Sequence, residues 1–183
     1  MLAVLSLDSS EGESRVSLNI LKVGNDKVYS STQLVGVMPY DVRFLSNDRV
    51  AVIGNKSTSV YDIDCDRISL IEYPGRLSYM SFFADEMALV FTKEGQSERS
   101  TVSCFDKNGA IKHSSSFNGY ITDRALGKGE IFLLCDSRIV KVPIGGMGTY
   151  EIPFDGEGAR LVTFANGDVM ACTQGVAYYI SFD

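Results

Sequence analysis

Three acids alternate in the segment DIDCDR: Asp62, Asp64 and Asp66. Alternating carboxylates are how the head of a calcium loop brings oxygen ligands onto one hard cation. The following positions depart from that chemistry. Arg67 stands where a glycine permits the sharp bend, and Tyr73 stands at the twelfth position, where a bidentate glutamate closes the shell. The same residues also read as a strand, a turn and a strand with solvated acids. His113, in IKHSSSF, is the only histidine and the only candidate general base. No GxSxG-type nucleophile motif accompanies it, and a rim position in a strand is the plainer reading. One histidine and scattered cysteines give triads and transition-metal sites almost no material. Catalytic residues and cofactors are therefore expected to be none, and the metal candidates reduce to Asp62, Asp64 and Asp66.

The cysteines are Cys65, Cys104, Cys135 and Cys172, with no CxxC pair, so a zinc site is not expected. Cys135 and Cys172 end the apolar runs IFLLC and DVMAC, the usual place of a buried thiol. At 37 residues apart, they are expected in equivalent, buried, reduced positions. The glycine-rich stretches GKGE (127–130) and IGGMGTY (144–150) lack the helix that a phosphate loop opens, so they read as hairpin turns. EGQSERS (94–100) reads as a polar loop tip.

These residues must be positioned by strands. Aligning the compact apolar runs places Leu2, Val50, Met87, Ile131 and Val169 in register, with spacings of 48, 37, 44 and 38. That is close to one four-stranded supersecondary unit. Each run is followed by a polar hairpin, a third strand, a second turn and a more polar fourth strand. No stripe at helical spacing competes. The runs VAVIG, MALVF and IFLLC are apolar on consecutive positions, which means that both faces are covered. Short antiparallel units stacked face to face satisfy this, and the pattern predicts an all-β chain, a β-propeller segment of about four to five antiparallel blades. Three units are full and two are incomplete, at approximately 1–36, 37–75, 76–118, 119–157 and 158–183. The first unit lacks an innermost strand, which would have to precede Met1, and the last lacks a fourth. A β-sandwich leaves the period unexplained.

At 183 residues, 45% hydrophobic and 22% charged, the chain can bury a core as one domain. The net charge of −6, with acids and bases interspersed, gives nucleic-acid binding no electrostatic support. No run approaches the ~18 apolar residues of a membrane span. The opening MLAVLSLDSSEGESR has no basic leader and too short an apolar core for a secretion signal. The segment therefore reads as soluble, without membrane contact of its own.

The segments LAVLSLDSSEGESRVSLNILKVG, VRFLSNDRVAVIGNKSTSVYDI and IFLLCDSRIVKV resemble the C-terminal part of a bacterial domain-of-unknown-function family of membrane-anchored propeller proteins. The resemblance covers nearly the whole chain. It implies further blades and one membrane span upstream of Met1, with the propeller extracytoplasmic, and it carries over no catalytic or binding residue. The expected function is a non-catalytic binding or scaffold module for an unknown protein or cell-surface partner. The alternatives are a ligand- or substrate-binding propeller enzyme fragment whose site lies partly in upstream blades, and a self-association module. Cut end faces further lead to the expectation of a homodimer, with Leu2, Val4, Leu5, Val169, Tyr178 and Ile180 covered by a second copy.

Overall fold

A computed structural model describes residues 1–9, 14–24, 27–93, 96–146 and 148–182, with side chains omitted for 96–98. Of the expected loop tip, residues 94 and 95 and the side chains of 96–98 thus lie outside what can be described. The chain is all-β: eighteen strands form five antiparallel sheets, and there is no helix among the described residues. Each sheet is a simple meander. The first holds β1 (Leu2–Asp8), β2 (Arg15–Leu21) and β3 (Val28–Leu34). The second holds β4 (Pro39–Ser46), β5 (Arg49–Gly54), β6 (Ser57–Asp62) and β7 (Arg67–Glu72). The third holds β8 (Arg76–Phe83), β9 (Glu86–Lys93), β10 (Gln96–Phe105) and β11 (Ile111–Asn118). The fourth holds β12 (Ile121–Leu126), β13 (Glu130–Cys135), β14 (Arg138–Pro143) and β15 (Tyr150–Pro153). The fifth holds β16 (Arg160–Thr163), β17 (Val169–Cys172) and β18 (Ala177–Ile180).

The sheets stack in chain order, and one apolar layer fills each gap. Leu18, Ile20 and Leu34 meet Val50 and Val52 between the first and second sheets. Ala51 and Ile53 meet Met87, Leu89 and Phe91 in the next gap. Ala88 and Val90 meet Ile131, Leu133 and Cys135, and Phe132 and Leu134 meet Val169 and Ala171. Because side chains alternate along a strand, β5, β9 and β13 must be apolar at successive positions to serve two gaps at once. This is the two-sided covering that the unbroken apolar runs predicted.

The terminal sheets have one covered face each. In the first sheet, Ala3 and Leu5 pack on the core, whereas Leu2 is half exposed. Its outer side carries a polar row: Asn19 donates to Ser6 Oγ at 2.8 Å and accepts from Ser31 Oγ at 2.8 Å. The outer side of the fifth sheet is apolar, with Val162, Phe164 and Tyr179 exposed and Met170 beside them. This corrects the expected end-face residues. Val169 (2% exposed) and Ile180 (8%) are buried inside the chain against the fourth sheet, Leu5 packs inward, and Tyr178 sets its ring edge-on to Phe154 at 5.6 Å.

The expectation for the two cysteines is corrected in the same way. Ile131 and Val169 both face the preceding sheet and lie 38 apart, whereas Cys135 and Cys172 lie 37 apart. A one-residue offset reverses the face in a strand. Cys135 is therefore buried, at 1% exposure, but Cys172 shares the position of Leu134, faces away from the stack and is only partly covered.

Candidate functional site

Asp62, Asp64 and Asp66 fall in the turn between β6 and β7. The Asp62 carboxylate accepts the amides of Asp64 (3.0 Å) and Asp66 (2.9 Å), while its own backbone closes the turn with Asp66 and Cys65. Asp64 instead turns to Tyr29 of the first sheet. A hydrogen bond to that carboxylate, and then its charge, holds the Tyr29 hydroxyl above the usual tyrosine range. Asp66 is exposed. Among the described residues no three histidine, cysteine or carboxylate side chains come together as a metal ion needs.

The third sheet repeats this turn. Asp106 accepts the amides of Asn108 and Ala110 at 2.9 Å each, and its backbone pairs with Ala110 and Gly109. Cys65 and Gly109 both have positive φ, +68° and +80°. The alternating acids are thus one copy of a repeated capped turn. The third-sheet copy is tied to its neighbour by Arg49, whose Nε donates to Asn108 Oδ1 at 2.9 Å.

His113 lies on the edge strand β11. Its Nε2 sits 2.9 Å from Ser115 Oγ, the reach of a nucleophile–base pair. No partner holds Nδ1 among the described residues. Sequence reasoning singled out the histidine and missed Ser115, two positions away on the same face of the strand. Burial pushes the thiols of Cys104 and Cys135 up to about 11, so neither is a nucleophile near neutral pH.

The clefts of interest open between sheets, at the end where each four-stranded sheet begins its first strand. One lies between the third and fourth sheets, about 390 Å³, among Arg76, Tyr79, Thr92, Ser100, Tyr120 and Arg124. Pairing across three strands sets one wall: Arg76 is opposite Thr92, and Thr92 is opposite Ser100. A register shift between Leu77 and Tyr79 inserts Ser78 as an extra residue, whose hydroxyl donates to the Val90 carbonyl at 2.9 Å. The fourth sheet has the same irregularity at Thr122, which donates to the Leu134 carbonyl at 3.2 Å. The shift leaves Arg124 opposite Leu133, on the face turned to the third sheet. Its guanidinium lies 4.6 Å from the centroid of the Tyr79 ring, a cation–π contact. Burial raises the Tyr79 hydroxyl above its ordinary pKa, and the Arg124 charge opposes the rise.

The adjoining cleft between the fourth and fifth sheets, about 560 Å³, has the opposite charge: Asp136, Asp155 and Glu157 line it with Arg160. Arg160 is spoken for, lying 3.7 Å from Asp123, whose other oxygen accepts the Leu161 amide at 2.7 Å and so ties β12 to β16. No signal in the sequence marked these clefts, because their walls come from residues about 20 to 50 positions apart.

The sequence profile of a family of unknown function, DUF5711, matches residues 1–177. No curated protein matches the chain in sequence. Among solved structures the chain is similar to β-propeller proteins. One is BBS1N, solved in complex with ARL6DN, at 12% identity and a TM-score of 0.53, over 96% of this chain and 63% of that one. Another is Hsv2p of Kluyveromyces lactis, at 10% identity and a TM-score of 0.53, over 87% and 51%. A third is the N-terminal domain of Nup159, at 10% identity and a TM-score of 0.52, over 86% and 47%. The chain spans about half to 63% of the length of these structures, and at such identities the likeness concerns the fold alone.

Proposed function

The chain belongs to the DUF5711 family of unknown function, and on that footing we propose that it is a non-catalytic binding and scaffold module, a segment of about four and a half blades of a β-propeller. The observation that carries this reading is the row of clefts at one end of a rigid stack. Four continuous apolar layers fix the blades, while polar and charged residues from neighbouring blades converge at their ends. Such a frame presents loops and cleft walls to a partner without moving. A fold neighbour solved in complex with ARL6DN supports this reading by its architecture alone.

In this reading the parent protein continues upstream of Met1, holds one membrane span, and displays the propeller outside the cytoplasm. The bare apolar side of the fifth sheet, with Phe164, Met170 and Tyr179, is then covered by the next blade of the ring. The test uses the protein with its upstream region. Its thermal stability is measured against sugars, peptides and metal ions, and each responsive compound is recovered and checked by mass spectrometry. Saturable stabilisation, which grows as RT ln(1 + [L]/Kd), with the compound returned intact, is the expected result. Conversion of the compound into product overturns the non-catalytic reading.

A further inference from the structure

We infer that the cleft between the third and fourth sheets binds a small organic oxyanion, a carboxylate or phosphate group on a body about the size of a monosaccharide, with Arg76 and Arg124 taking the anionic group. This deepens the binding-module reading and rests on it. The inference starts from charge. The chain carries a net −6, yet two arginines line this one cleft and no acid joins them among its described lining residues. Several arginines elsewhere are paired with an acid: Arg43 with Asp41 at 3.0 Å, Arg49 with Asp48 at 2.9 Å and Arg138 with Glu151 at 3.4 Å. Among the described residues Arg124 meets the Tyr79 ring and no acid, and Arg76 has no ion pair. A guanidinium presents a planar fork of donors that matches a carboxylate or a phosphate, so two forks in one cleft, with no acid beside them among the described residues, have the chemistry of an anion receptor.

The rest of the wall fits an organic body. A volume of about 390 Å³ falls at the small end of ligand pockets, roughly 300–1,000 Å³. Thr92 brings a hydroxyl that can donate to or accept from a polyol. The Tyr79 ring, already oriented by Arg124, offers an apolar face. The frame is fixed where it matters. Ser78 ties the register shift of β8 to β9, and Thr122 ties that of β12 to β13, so both arginines stand on strands pinned close to their bases.

The experiment is calorimetric titration of the chain with galacturonate, galactose 6-phosphate, galactose and inorganic phosphate. Saturable binding of galacturonate or the phosphate ester, with galactose at least tenfold weaker, is expected; the two acidic sugars separate a carboxylate from a phosphate source. Arg76→Gln with Arg124→Gln should abolish that binding or weaken it more than tenfold without changing the melting temperature, since both side chains are exposed. Arg124→Lys, which keeps the charge and loses the fork, should fall between. Asp155→Asn with Glu157→Gln, in the other cleft, should leave it unchanged. No response to either acidic sugar overturns the proposal, as does inorganic phosphate binding as tightly as the acidic sugars. Binding that survives the double arginine substitution overturns this cleft while leaving the module reading standing. Turnover of a bound sugar does the reverse.

Discussion

Cys65 and Gly109 occupy the same position of the same turn, 44 residues apart, with φ of +68° and +80°. An L-residue in that region is strained by about 1–3 kcal/mol, and the two copies of the turn meet the strain differently. In the third sheet it is a glycine. In the second it is a cysteine whose sulfur is buried, 3.3 Å from Ser30 Oγ of the first sheet, so packing against a neighbouring sheet offsets the backbone cost.

Gly109→Ala should therefore be more damaging than the same change at Gly158, which also has positive φ (+67°) but nothing within 4 Å of an added Cβ. At Gly109 that Cβ would run into Ser69 Oγ. Gly158→Ala should lose about 1 kcal/mol and Gly109→Ala about 2–3. Adding Ser69→Ala should bring the second loss down toward the first. Urea denaturation of the three variants checks the order; equal losses at Gly109 and Gly158 would refute the close approach.

Asp62 and Asp106 should behave as turn caps. Asp62→Ala and Asp106→Ala should each destabilise by about 1–2 kcal/mol, the loss of two amide bonds to a charged acceptor partly made up by water. Asp62→Asn, which keeps an acceptor, should cost less. The losses should be the same in EDTA and in millimolar calcium. A calcium-dependent melting shift that disappears in Asp62→Ala would restore the metal reading.

How far the sequence carried the structure can be seen at Val169 and Cys172. The unbroken apolar runs named the strands that serve two gaps, because only consecutive apolar residues can fill a layer on each side. The register of Leu2, Val50, Met87, Ile131 and Val169 was legible for the same reason. The face of Cys172 was not, since a run of apolar letters looks alike when read one residue out of step. The clefts were illegible because their walls meet only after stacking: Arg76 and Arg124 are neighbours through two sheets, not through spacing. The DIDCDR acids misled because a carboxylate that caps a turn and one that binds calcium call for the same alternation of residues.

The register makes its own prediction. Val169→Ala removes methyls from the layer against the fourth sheet and should cost about 1–3 kcal/mol, whereas Met170→Ala, on the outer side, should cost under about 1. A thiol reagent on the native chain should modify Cys172 first and leave Cys104 and Cys135 to global unfolding. Fast labelling of Cys135 would contradict the burial described here.

Alkaline stability follows from the same thiols. Burial raises Cys104 and Cys135 from 9.0 to about 11. A pKa raised in the folded chain means that the neutral thiol is favoured there, so this contribution is complete below pH 9 and is lost as pH climbs through 11. The melting temperature should fall across that window, and more steeply than in a Cys104→Ala, Cys135→Ala variant. An unchanged slope in the variant would show that other groups drive the alkaline loss.

The last prediction concerns the bare side of the fifth sheet. Val162, Phe164 and Tyr179 are 42%, 46% and 64% exposed, with Met170 between the strands beside them. The opposite end of the stack carries the Ser6–Asn19–Ser31 row beside Leu2 and Val28, 52% and 51% exposed. The two ends are therefore unlike, and head-to-tail stacking of one copy on the next would press an aromatic, apolar face on a mixed one. Pairing of the fifth sheet with its own copy matches like with like and closes as a two-fold dimer. Several hundred Å² covered on each copy at roughly 25 cal/mol per Å² is on the order of 10 kcal/mol before the cost of association. Chain 1–183 by itself should thus show a mass that rises from monomer toward dimer with concentration, by light scattering. Met170→Lys should hold it monomeric, and Leu2→Lys, at the other end, should not. A wild-type chain that stays monomeric at high concentration would show that this face is stable in water without a partner.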